Sequence, residues 1–153
     1  MARKVQFDLD LRETFPNLVT KKGIDAEAQD LVADLIREEI LSYVAEGTSP
    51  VSGYGKFPAL SEDYREFKKA AGNPGEPNLE FNGDMLDALE VYPIKDGVIR
   101  VEISGDQSDK ADGHNNHSGD STLPLRRFIP KKDETFKRDI LSSVRAILEE
   151  YAD

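Results

Sequence analysis

A chain of 153 residues has the length of one domain with one core, and its 38% apolar and 33% charged residues exclude wholesale disorder while leaving some apolar surface for burial between subunits. A net charge of −10 repels phosphate backbones and anionic lipid, which argues against nucleic-acid grip. The absence of cysteine excludes disulfides, thiolate catalysis and cysteine-ligated zinc; with so few histidines, no metal or cofactor is expected.

Apolar runs are short and MARKVQFDLD has no signal-peptide core, so no membrane span is expected and the chain reads as made and used in a cytosol. Val5, Phe7, Leu9 and Leu11 alternate with Gln6, Asp8 and Asp10, the period of a half-buried strand. Within residues 1–20, read as an extended N-terminal arm, this strand is either an edge of its own sheet or an arm laid on a neighbour's sheet. On the second reading Phe7 and Leu9 are interface residues.

Ile24, Ala28, Leu31 and Leu35, with Val32, Ile36, Ile40 and Tyr43, recur at helical steps and predict a long helix over 25–45, capped by Asp25 and stopped by Gly47. TSPVSGYGKFP at 48–58 is a loop, and Ser61 caps a short helix ending near Gly72. After the NPGEPN loop, Met85, Leu86 and Leu89 predict a helical turn running into a strand. Leu89 to Pro93 and Val98 to Ile103 then form a hairpin about Asp96-Gly97.

Residues 104–122 contain no hydrophobic side chain larger than Ala and read as a long mobile loop. LPLRRFIP at 123–130 reads as an extended strand with Arg126 and Arg127 on opposite sides, paired with acids. Phe128 is either core or an interface anchor. Phe136, Ile140, Val144, Ile147 and Tyr151 predict a C-terminal helix over 133–151 docking on the sheet. The fold expected is α+β: a single domain over 1–153, with a small, mostly antiparallel sheet, the long N-terminal helix and the C-terminal helix packed on it.

His114 and His117 with nearby aspartates are the nearest approach to a metal site, but a glycine-rich loop gives them no common face and the calcium-loop pattern is absent. The carboxylates of Asp84, Asp87 and Glu90 are spaced for the exposed side of a turn, and no triad, P-loop or dinucleotide fingerprint occurs. No enzyme is expected. The alternatives are a small metal-dependent hydrolase using His114 and His117, and an acidic inhibitor of a host protein that mimics nucleic acid.

FPALSEDYREFKKAAG at 57–72, NLEFNGDMLDALEV at 78–91, and GHNNHSG followed by LPLRRFIP within 113–130 occur in an order that resembles the virion-morphogenesis or tail-completion proteins of tailed phages, the head-to-tail joining subunits. Matching positions are Leu60, Ser61, Tyr64, Lys68, Leu79, Gly83, Leu86, His117, Gly119, Pro124, Arg126 or Arg127, Phe128 and Ile129, and the resemblance spans about 57–151. Lys110, Ala111 and Asp112 stand where that family carries an aromatic and a small residue. The resemblance implies a ring of copies of this chain, a hexamer or alternatively a dodecamer, between portal or adaptor and tail-tube proteins. DNA would pass through it without specific binding. The implied joining surface includes His114, His117, Arg126, Arg127 and Phe128.

Overall fold

The computed structural model describes residues 5–19, 23–57, 84–107, 111, 115 and 127–152. It is an α+β fold: a three-stranded antiparallel sheet in the order β1-β3-β2, with helices packed beside it. Strand β1 (Val5–Asp10) buries Val5, Phe7 and Leu9 and exposes Gln6 and Asp8, as its alternation requires. It pairs along its length with β3 (Val98–Ile103), from Val5 opposite Ile103 to Asp10 opposite Val98. The strand stops one residue short of Leu11 because the Asp10 carboxylate turns to accept from the Arg12 and Glu13 amides at 2.9 and 3.3 Å. That cap starts a single helical turn, α1 (Leu11–Thr14).

The arm expected over 1–20 is therefore corrected for 5–19. Phe7 and Leu9 serve the chain's own core, where Phe7 meets Phe136 edge to face with ring centroids 5.6 Å apart.

Helix α2 (Ala26–Ala45) follows its sequence signals closely. The Asp25 carboxylate accepts from the Glu27 and Ala28 amides, and Gly47, at φ 75°, turns the chain away after the last turn. Val32, Ile36, Ile40 and Val44 make its buried stripe. Gln29 is a buried polar residue on the same helix: its amide donates to the Ile24 carbonyl at 3.0 Å and its carbonyl accepts from the Gly97 amide at 3.2 Å. The start of α2 is thereby tied to the Asp96-Gly97 turn, whose Gly97 sits at φ 84° as a tight hairpin turn demands.

A short α3 (Asp84–Asp87) leads into β2 (Glu90–Lys95), which pairs with β3 and is interrupted by a bulge between Pro93 and Lys95. Pro93 has no amide to offer a ladder, and an edge strand tolerates this.

Helix α4 (Arg138–Tyr151) begins five residues later than the expected 133. The intervening backbone is already engaged: Ser52 N donates to Thr135 O and Lys137 N to Pro50 O, each at 2.9 Å. These bonds hold residues 135–137 extended against residues 50–52, so Phe136 is a buried member of that bridge and not of the helix. Ile140, Val144 and Leu148 bury the inner face of α4. Its principal neighbour among the described elements is α2. The two helices are joined by a hydrogen bond from Tyr43 Oη to Asp139 Oδ2, which pushes the phenol pKa up to about 12. Among the described residues, no helix is long and apolar enough to cross a membrane.

Candidate functional site: the Arg127 clasp and the surface around it

Residues 127–130, expected to be a strand with alternating faces, are Arg127, Phe128, Ile129 and Pro130, and all four are buried. Among the described residues, no ladder partner accounts for their backbone. One side chain does: Asn115 Oδ1 accepts from the Phe128 amide at 2.7 Å and the Ile129 amide at 2.8 Å, and Asn115 Nδ2 donates to the Ile129 carbonyl at 2.9 Å. A buried carboxamide thus takes the place of a neighbouring strand, satisfying backbone groups that burial would otherwise leave at a cost. Ser49 Oγ donates to the Arg127 carbonyl and accepts from the Val51 amide at 3.1 Å.

Arg127 is only 4% exposed. Its guanidinium donates through Nη1 to the Asn115 carbonyl, lies 5.4 Å from the centroid of the Tyr54 ring, and faces Glu134 with Nε to Oε1 at 3.2 Å. Glu134 is held in turn by the Tyr54 hydroxyl at 2.6 Å and the Lys131 amide at 2.9 Å. A charge in so little water is tolerated because the guanidinium meets a carbonyl acceptor, a carboxylate and a ring face. This clasp joins four separated stretches: the 49–54 loop, Asn115, residues 127–129 and the 131–134 turn.

The Glu134 carboxyl feels burial, which raises its pKa, but bonds from Tyr54 and Lys131 and the charge of Arg127 outweigh it and hold it below the ordinary value of 4.5. A lowered folded pKa makes a contribution to stability that is complete above the ordinary carboxylate range and is lost as the pH falls through the folded value. The melting temperature should therefore fall as the solution is acidified below about pH 4.5. Glu134→Gln should melt lower at neutral pH and lose less on acidification. Parallel acid limbs for the two proteins in a thermal scan series would contradict the assignment.

The sequence-derived candidates separate accordingly. Arg127 pairs with an acid, as expected, but does so inside the fold. Phe128 is fully buried, so in the described fold it is core and not an exposed anchor. His114, His117 and Arg126 lie outside the described residues, as does the helix expected after Ser61. Within the 104–122 stretch expected as a long mobile loop, Gly105–Gln107 form a short helical turn, and Ala111 and Asn115 are buried. Asn115, Tyr54, Ser49 and Glu134 were not singled out from sequence. Their one available signal was that a polar GHNNHSG stretch precedes a proline-flanked run in need of backbone partners.

On the other face of the sheet, Arg100 makes a forked contact to Asp8 at 2.9 and 3.0 Å across β1 and β3, and Tyr92 donates to Glu102 at 2.6 Å. The Glu102 bond holds the Tyr92 phenol pKa above its ordinary value. These are cross-strand pairs that stabilise the sheet and have the geometry of scaffold. Among the described residues, no group of three or more His, Asp or Glu side chains converges as a metal site would require.

Two open grooves flank the clasp. One, of about 350 Å³, is bordered by Val5, Gln6, Asn115 and the 130–133 turn. The other, of about 420 Å³, lies between Phe15, the 135–136 bridge and the outer flank of α4. No family model matches the sequence, and no curated protein or solved structure matches it either.

Proposed function

We propose that this chain is a structural subunit of a tailed-phage virion that completes the tail and joins it to the head as part of a ring. The observation that carries this reading is the ordered series of segments at 57–72, 78–91 and 113–130. It is supported by what their described members do: Leu86, Phe128 and Ile129 are core, and Arg127 is the clasp that holds four stretches of chain together. Residues engaged in this way serve the shape of the subunit, and shape is what a joining ring supplies. The net charge of −10 fits the same role, since an acidic channel offers DNA phosphates no cationic partner and lets the duplex pass.

In this mechanism each subunit contacts the next through a different patch from the one it receives, and closure of the ring caps the tail tube and presents a face to the filled head. Deleting the gene from the virus that carries it should leave full heads and unattached tails side by side, restored to whole particles by the protein supplied in trans. Normal infectious particles from the deletion would refute the reading.

A further inference from the structure

Helix α4 has two flanks. Asp139 meets α2 through Tyr43. At 100° per residue, Arg138, Ser142 and Arg145 fall within about 60° of one another on one side of the helix, where with Phe15 and Leu141 they line the groove of about 420 Å³. The groove is therefore an apolar floor between two guanidiniums seven residues apart, about 10 Å along the helix. Arg145 pairs with Glu149 at 2.7 Å, but both side chains are more than half exposed, so this pair is weak and easily exchanged. Arg138 makes no ion pair among the described residues. A cationic, apolar groove is unexpected on a chain with a net charge of −10.

Its complement lies on the same molecule. Leu31, 40% exposed, is the one exposed large hydrophobic among the described residues. On the surface of α2 it sits between Glu27 and Asp34, which are again seven residues apart and both exposed, with Glu38 one turn beyond. An acid-leucine-acid stripe thus has the spacing and opposite charge of the arginine-leucine-arginine groove.

We infer that the occupant of the groove is a second copy of this chain: Leu31 of one subunit enters over Phe15 and Leu141 of the next, with Glu27 and Asp34 meeting Arg138 and Arg145. The two patches are different, so the contact is heterologous and propagates head to tail into a ring or filament. It names the subunit contact of the ring proposed above and rests on that reading for closure.

Because the chain has no native cysteine, a disulfide trap is clean. Leu31→Cys with Ser142→Cys in one chain, oxidised at high protein concentration, should give a ladder of linked multimers. Leu31→Cys with Lys95→Cys should give at most a trace. The variants Leu31→Asp with Asp34→Lys, and Arg138→Glu with Arg145→Glu, change exposed side chains; each should keep the wild-type melting temperature and lose self-association at least tenfold. Mixed together they should form one-to-one complexes, since each retains one intact patch. No ladder, or equal ladders from both cysteine pairs, overturns the contact. Closed oligomers that persist in both charge variants overturn the contact while leaving the ring intact. A wild-type chain that never self-associates overturns both.

Discussion

Replacing Arg127 with alanine should lower the stability of the fold by about 3 kcal/mol, or roughly 6 to 12 °C in melting temperature for a chain of this size. Removing one member of a buried ion pair strands the other. The effect belongs at the lower end of the usual range because Glu134 is itself 20% exposed and can be partly rehydrated. The cation-π contact with Tyr54 and the bond to the Asn115 carbonyl are lost as well. Arg127→Lys should recover only part of the loss, since a point ammonium cannot stack on Tyr54 while also reaching Asn115 and Glu134. Chemical denaturation of the three proteins measures this; a loss under about 1 kcal/mol for Arg127→Ala would mean that the guanidinium is not the clasp described.

Asn115→Ala should cost at least as much, about 3 to 5 kcal/mol, because two amides and one carbonyl of residues 128 and 129 lose their partner inside the core at once. Alanine fills less space, but packing is the smaller part of the loss, as Asn115→Leu should show by failing to rescue. Asn115→Asp keeps the two acceptor bonds and loses the donor to Ile129 O, so it should fall between wild type and alanine. Urea midpoints at constant slope test the series. Equal stability of the alanine and wild-type proteins would show that the 127–130 segment finds its hydrogen bonds elsewhere.

These two residues mark the boundary of what the sequence reveals. Strand β1, helix α2 with its Asp25 cap and Gly47 stop, and the hairpin at Asp96-Gly97 are legible because their signals are local: a period of two or of 3.6, a capping side chain, a glycine at positive φ. The 127–130 segment was misread because its alternation resembles a strand, whereas its backbone is satisfied by a side chain twelve or more residues away. No periodicity encodes such a bond. The late start of α4 has the same origin, since residues 135–137 would continue the helical stripe but their backbone is committed to residues 50–52.

Of the candidate site, the pairing of Arg127 with an acid was legible from the charge balance. Its burial was not, because a lone arginine among acids is ordinarily a surface residue. The arginine groove on α4 was hidden for another reason. It combines Phe15 from the α1 region with two turns of a helix more than 120 residues later, a proximity created only by the fold.

The ring proposed above is tested by the native mass of the purified protein across a concentration series, with electron microscopy of the same samples. A ring-forming chain should give a single closed species of fixed stoichiometry, a hexamer first and a dodecamer as the alternative, growing at the expense of monomer as concentration rises. A chain that stays monomeric to its solubility limit, or that forms a symmetric dimer and nothing larger, would contradict it.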